Sequence, residues 1–198
     1  GFQHVGSFLR PDALKQVRAA FANGQVTADE LTATEDAAIT TLVAQQVAAG
    51  LDVVTDGEFR RSYWHLDNFW GFEGVERFKF GEGYQFAHEE TRDDSAHLTG
   101  PLGFDATTHP LIREFKFLKA IADRYGVAAK VTLPSPAQFF AELVRGQNAE
   151  RVHRFYTNDA DFHAAIQRVY HDEILALYDA GARTIQLDDC TWGMLVDP

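Results

Sequence analysis

The sequence predicts an α/β fold in which parallel strands alternate with helices. Three short apolar runs rich in β-branched residues recur along the chain, at 52–56, 129–133 and 184–188. Each run follows a longer segment with helical apolar spacing, and a glycine lies between the two. Strands of a parallel sheet are short, nearly continuous apolar runs, because helices cover both faces of the sheet. The repeated order of helix, glycine and strand therefore indicates βα alternation.

The helix before each of these strands is predicted from apolar residues at a spacing of three or four. A glycine just after the last periodic residue is a common helix stop, because glycine adopts the left-handed conformation that ends a helix. Three helices follow from this pattern: 34–49 ended by Gly50, 109–125 ended by Gly126, and 158–180 ended by Gly181.

Two further β elements are predicted with less regular patterns. Residues 2–7 form a short apolar stretch that ends in Gly-Ser and precedes Pro11 and a helix, so we predict the first strand there. Residues 72–104 are rich in Phe, Gly and charge, and they alternate at 75–80 and at 84–88. This alternation predicts a β-hairpin inserted between the second strand and its helix.

Four strands with crossover helices fit either an open doubly wound sheet or part of a (β/α)₈ TIM barrel. A nucleotide-binding open sheet usually has a G-x-G-x-x-G turn after its first strand, and residues 4–11 lack this turn. We therefore predict a barrel, of which residues 1–198 supply about the first four βα units as a single, amino-terminal half domain. Such a half has open edges, so a carboxyl-terminal half-barrel or a second copy is expected to cover them.

The composition limits the class of partner. The 198 residues carry a formal net charge of −11, which argues against nucleic acid and anionic membranes, because both select clustered Lys and Arg. A small-molecule ligand is the expected partner. Cys190 is the single cysteine, so the chain has no internal disulfide and no multi-cysteine metal site of its own. A cytoplasmic protein is expected.

Functional groups of parallel α/β proteins lie at the carboxyl ends of the strands. Gly6 and Ser7 follow the first predicted strand and could offer N–H groups and a hydroxyl to an anion; the alternative is a tight turn with a serine cap. Glu58 and Asp188 follow two other strands and could together bind an ammonium group. Their alternative is a pair of solvated loop acids.

Several neighbouring residues are weaker candidates. Arg60 and Arg61 could pair with those acids or with a substrate carboxylate, or form a surface ion pair. Asp188 and Asp189 are adjacent in a strand, so only one of them is expected to face the pocket. Trp192 could stack on a flat heterocycle or lie in the core. His4 is a further possible substrate contact; no histidine spacing indicates a metal site, and no catalytic residue is assigned.

Four segments together resemble the catalytic-domain family of cobalamin-independent methionine synthase, and most of all its shorter single-barrel relatives. They are His-Val-Gly-Ser-Phe-Leu-Arg-Pro at 4–11, Thr-Asp-Gly-Glu-Phe-Arg-Arg at 55–61, 130–136, and Ile-Gln-Leu-Asp-Asp-Cys-Thr-Trp at 185–192. The resemblance implies a (β/α)₈ barrel. It also implies transfer of a methyl group from 5-methyltetrahydrofolate, or another donor, to homocysteine bound on zinc, which forms methionine.

The resemblance also implies residue roles: Gly6 and Ser7 hold the homocysteine carboxylate, while Glu58 and Asp188 hold its amino group. The zinc of the family is held by a His-x-Cys segment, a Glu and a second Cys, which have no counterpart in this sequence, and Cys190 is not promoted to a ligand. The rival hypothesis is a non-catalytic amino-acid-binding or remnant half-barrel. A decarboxylase of related barrel type is a weaker alternative, because it would need a basic pocket.

Overall fold

The computed structural model describes residues 3–79, 81 and 93–196. The contacts divide the chain into two compact units. Unit 1 comprises residues 1–62, 113–132 and 180–186, and unit 2 comprises residues 63–112, 133–179 and 187–198. None of the helices in the described ranges has the length and apolar character that crossing a membrane requires.

The described residues form seven α-helices, five strands and one 3-10 helix. The helices are α1 (Asp12–Ala22), α2 (Ala28–Ala48), α3 (Leu66–Phe69), α4 (Pro110–Tyr125), α5 (Pro136–Leu143), α6 (Asn148–Val152) and α7 (Asp159–Asp179), with the 3-10 helix at Thr191–Val196. The strands are β1 (Val53–Val54), β2 (Glu73–Lys79), β3 (Asp94–Gly103), β4 (Ala128–Pro134) and β5 (Thr184–Asp188).

Helix α2 begins earlier than the apolar spacing predicts. Thr27 and Glu30 form a capping box: the Glu30 backbone N–H donates to Thr27 Oγ1 at 3.2 Å, and the Thr27 N–H donates to Glu30 Oε2 at 2.7 Å. These bonds satisfy N–H groups that have no partner within the helix. The Thr-x-x-Glu signal was present in the sequence, so the start at Ala28 could have been predicted.

A three-stranded sheet in the order β1, β4, β5 contains the three strands predicted from apolar runs. Strands β1 and β4 are parallel, with Val53 opposite Ala128. Strand β1 is shorter than the predicted 52–56, because the Gln46 side chain takes both backbone groups of Thr55, at 2.8 and 3.0 Å. The predicted βα alternation is confirmed for these strands.

The prediction of a first strand at 2–7 is wrong for the part of it that the structure describes, residues 3–7, which are in no strand. Val5, an apolar residue of this segment, is not buried: it is 70% exposed. The residue that follows the segment is attached through a backbone bond, from Phe8 N to Gly57 O at 3.2 Å. The described strands accordingly do not close a barrel.

Unit 2 contains the predicted hairpin, made of β2 and β3 in antiparallel register with Val75 opposite Leu98. Its return strand is β3, and the predicted alternation at 84–88 lies outside the described residues. Gly74 has a φ of 77° next to the register shift between Glu73 and Val75. A Cβ at Gly74 would lie 2.3 Å from the Pro101 carbonyl oxygen, so the close approach of the two strands requires glycine there.

The core of unit 2 is a continuous apolar cluster from α3, the hairpin, α5, α6 and α7. Phe69 and Phe139 stack at its centre with ring centroids 4.5 Å apart, and both are fully buried. Rings of this size bury enough apolar surface to hold the hairpin against the helices. The cluster comprises Leu66, Phe69, Phe72, Val75, Ala96, Leu98, Phe139, Leu143, Val152, Phe162, Ile166, Val169 and Tyr170.

Candidate functional site

Glu58 is a buried carboxylate in a strained turn at the carboxyl end of β1. It is 5% exposed and has a φ of 58°, directly after Gly57 with a φ of 68°. A left-handed conformation in a residue other than glycine costs roughly 1 kcal/mol or more, and it persists only where surrounding contacts impose it. The Glu58 N–H donates to Asp56 Oδ1 at 2.9 Å, which fixes the turn locally.

The carboxylate of Glu58 is held from β4 and from its own turn. Thr132 Oγ1 donates to Glu58 Oε1 at 3.0 Å, and Arg61 Nη1 lies 3.5 Å from the same oxygen. Arg61 in turn donates to the Thr132 carbonyl at 2.7 Å. Both of these contacts are made by Oε1 of Glu58. They fix the orientation of the carboxylate, and neither of them uses the second oxygen, Oε2.

The Gly6–Ser7 turn lies next to the Glu58 turn. Gly6 has a φ of 83°, and Ser7 is exposed. The bond from Phe8 N to Gly57 O joins the two turns, and Arg10 donates to the backbone carbonyls of Glu58 and Arg61 at 2.7 and 2.8 Å. The structure therefore brings together, within unit 1, the predicted carboxylate site and one of the two predicted amine ligands.

The weaker candidates of unit 1 are engaged elsewhere. The His4 ring stacks on Phe8 at a centroid distance of 3.7 Å. Arg60 is paired with two acids of α2, Glu35 at 3.2 Å and Asp36, and its guanidinium lies 5.1 Å from the centre of the Phe117 ring. Of the two neighbouring arginines, Arg61 contacts Glu58, and Arg60 has a structural role against α2.

A further acid, the half-buried Glu114 of α4, belongs to the same charge cluster. Burial raises the pKa of Glu114 to about 7, and the negative charge of Asp56 adds to this, against the opposing effect of Arg60 and Arg61. Glu114 is therefore about half protonated at neutral pH.

The remaining predicted residues lie at the end of β5, in unit 2. Asp188 is half-buried, and its backbone carbonyl accepts from Ser135 N at 2.7 Å. Asp189 is exposed, and its Oδ1 accepts from the Thr191 N–H at 2.8 Å and from Thr191 Oγ1 at 2.6 Å. Asp189 therefore caps the 3-10 helix. Trp192 is 72% exposed, so it is not a core residue.

Cys190 is a free, exposed thiol that the structure does not activate. Burial of its sulfur, and then the charges of Asp188 and Asp189, raise its pKa. Because the thiolate is the reactive form, we expect slower alkylation by iodoacetamide at pH 7 than for cysteine in an unstructured peptide. Asp189→Asn should increase the rate, measured by mass spectrometry. A faster rate in the wild type than in the peptide would contradict this prediction.

The donor set of the described residues does not fit the zinc that the family resemblance implies. In the described ranges, no three His, Cys, Asp or Glu side chains come together in a way that could hold a metal ion. Cys190 is the one thiol of the chain, and its raised pKa disfavours the thiolate that zinc binds.

Sequence reasoning missed three residues that organise the site: Arg10, Lys130 and Thr132. Lys130 and Thr132 alternate with Ala129 and Val131 in β4, and all four are buried. Polar residues at every second position of a buried strand indicate a polar face on one side of the sheet. That signal was available. The contacts of Arg10 depend on tertiary structure and had no signal in the sequence.

The fold and site together define an α/β chain with polar groups at the carboxyl ends of parallel strands. Residues 3–69 match the family model described as cobalamin-independent synthase, catalytic domain. The chain is 26% identical over 189 residues to the methionine synthase of Sulfolobus acidocaldarius, an alignment that covers 93% of this chain and 50% of that protein. These matches confirm the predicted resemblance: the chain is similar to the cobalamin-independent methionine synthases.

Two further relatives are more similar to this chain in sequence. An uncharacterized Bacillus subtilis protein, YxjH, is 40% identical over 194 residues, covering 98% of this chain and 49% of that protein. The crystal structure of a vitamin-B12-independent methionine synthase-like protein of Listeria monocytogenes has a TM-score of 0.74 at 35% identity, covering 98% of this chain and 53% of that one. The chain thus spans about half the length of these curated relatives.

Proposed function

We propose that this chain provides an amino-acid-binding half-site for a methyltransferase that acts on homocysteine. The observation that carries the proposal is the Glu58 carboxylate, which is buried and held through Oε1 by Thr132 and Arg61. It lies in a turn bonded to the Gly6–Ser7 turn. Relatives named methionine synthase and 5-methyltetrahydropteroyltriglutamate–homocysteine methyltransferase support the reaction class.

The proposed division of labour follows from charge. Glu58 Oε2 accepts a hydrogen bond from the substrate ammonium group, because an ionised carboxylate is an acceptor only and a charged donor strengthens the bond. The Gly6–Ser7 turn receives the substrate carboxylate through backbone N–H groups and the Ser7 hydroxyl. Asp188 is proposed as a second acceptor for the amine, on the resemblance alone.

The residues of this chain thereby hold the ammonium and carboxylate groups of the substrate, and this orients its thiol side chain. In the family, zinc lowers the thiol pKa so that the thiolate can accept the methyl group. The described residues do not supply the ligands for that metal, so they are assigned binding and orientation. The methyl donor is proposed to be a methyl-folate.

The second candidate function is amino-acid binding without catalysis. The lack of a metal-binding cluster among the described residues favours it. Both functions use the same half-site and differ in whether methyl transfer follows. A partner is proposed in either case: β1 and β5 are the outer strands of the sheet, and a carboxyl-terminal half-barrel or a second copy would cover these edges.

Calorimetry on the full chain tests the proposal. Homocysteine should bind more tightly than its deaminated analogue, 4-mercaptobutanoate, and more tightly than its decarboxylated analogue, 3-mercaptopropylamine, by about tenfold or more in each comparison. Equal affinities for the three ligands would exclude the half-site. Formation of methionine from homocysteine and 5-methyltetrahydrofolate with added zinc would then separate the methyltransferase from the binding protein.

A further inference from the structure

Lys130 is a buried lysine on β4 that makes no contact with the substrate in the proposed half-site. Lys130 is 2% exposed, and a buried ammonium group loses its hydration unless protein oxygens replace the water. Its Nζ donates to the backbone carbonyl of His4 and to Gln186 Oε1, the latter at 2.8 Å. Lys130 therefore connects β4 to β5 and to the segment before the Gly6–Ser7 turn.

That segment needs such a connection. Residues 3–10 are in neither a helix nor a strand, and Val5 and Leu9 within them are largely exposed. Burial of apolar surface and ladder hydrogen bonds, which hold most segments in place, contribute little here. The Lys130 bond fixes the chain two residues before Gly6, and the Phe8 N–H bond to Gly57 fixes it one residue after Ser7. The turn is thus held on both sides.

We infer that Lys130 is a positioning residue that holds the Gly6–Ser7 turn in the conformation that receives the substrate carboxylate. The inference rests on the proposed function. A carboxylate bound by a short turn depends on the placement of a few N–H groups, and a displacement of about 1 Å weakens such bonds steeply. The bond that Lys130 donates ends on the backbone carbonyl of His4, so it fixes the course of the chain itself.

Lys130→Met tests the inference, since methionine has a similar length and no donor. The affinity for homocysteine should fall about tenfold, because its carboxylate depends on the turn, and the affinity for 3-mercaptopropylamine should not change, because that ligand has no carboxylate. Amide hydrogen exchange of residues 4–8 should be faster in the variant. A merely structural role would lower the affinities for both ligands together.

If Lys130→Met does not fold, Gln186→Leu removes an acceptor of Lys130 Nζ and should produce a smaller loss with the same ligand selectivity. Unchanged homocysteine affinity in a folded Lys130→Met variant, or an equal loss for both ligands, would overturn the inference. Failure of the proposed function has a different signature, because the wild type would then not discriminate homocysteine from its two analogues.

Discussion

Replacing Glu58 by glutamine is expected to weaken homocysteine binding by about tenfold to a hundredfold, which corresponds to the loss of about 1.5–3 kcal/mol for a charge-assisted hydrogen bond. Glutamine keeps the length of the side chain, and its amide oxygen can still accept from Thr132 Oγ1. The change therefore removes the negative charge with little change in shape. Calorimetry on the full chain gives the affinities.

The loss should depend on the amine of the ligand. Affinity for the deaminated analogue should stay within about twofold of the wild type, since that ligand offers no ammonium group to Glu58. Asp189→Asn is the matched control, because the Asp189 carboxylate is exposed and bonded to Thr191. Asp188→Asn tests the second predicted amine ligand in the same assay. Equal homocysteine affinities in the wild type, Glu58→Gln and Asp188→Asn would exclude the proposed amine site.

The central strand β4, which the sequence predicted well, is buried along most of its length. Residues 129–133 alternate buried apolar and buried polar side chains within β4, and a buried run with β-branched residues has few alternatives to a central strand. Residues 2–7 were also predicted as a strand, but the described residues 3–7 have no strand partner: the exposed Val5 contributes no burial, and no described strand pairs with them. Composition alone could not separate these two cases.

Some contacts of the candidate site could not be predicted from the sequence either. The position of Glu58 after a strand indicated its exposure to a pocket, but its burial follows from Thr132 and Arg61, which lie 74 and 3 residues away in sequence. Arg60 and Arg61 are adjacent and chemically equal, yet one contacts Glu35 and the other contacts Glu58. Which arginine serves the site depends on the left-handed turn at Gly57 and Glu58, which the sequence did not predict.

Acidification below pH 6.5 is expected to destabilise unit 2 through His109. This side chain is 1% exposed; its Nε2 lies 3.2 Å from the Asn68 carbonyl and 3.7 Å from Glu173 Oε1, and the Phe72 and Phe104 rings are 5.1 and 5.3 Å away. Burial lowers the pKa of His109 from 6.5 to about 4. Below pH 6.5 the unfolded chain therefore binds a proton that the folded chain does not.

The size of the effect follows from the pKa difference. The free energy of unfolding should fall by up to about 1.4 kcal/mol per pH unit, or by about 3 kcal/mol in all between pH 6.5 and about 4. Above pH 6.5 the imidazole is neutral in both states, so this contribution does not change with pH. His65, whose pKa burial and the nearby Arg145 also lower to about 4, should add to the same loss.

His109→Gln separates this contribution from general acid unfolding. Glutamine can still donate to the Asn68 carbonyl but does not titrate, so the variant should be less stable at pH 7, through lost ring packing, and should lose less stability than the wild type between pH 6.5 and 4. His153→Gln, at an exposed position, should leave the pH dependence close to that of the wild type. Urea unfolding at a series of pH values gives the free energies, and ¹³C NMR of the imidazoles gives the protonation of His109 directly. Protonation of His109 in the folded chain near pH 6 would contradict the prediction, because burial would then impose no penalty on the charged ring.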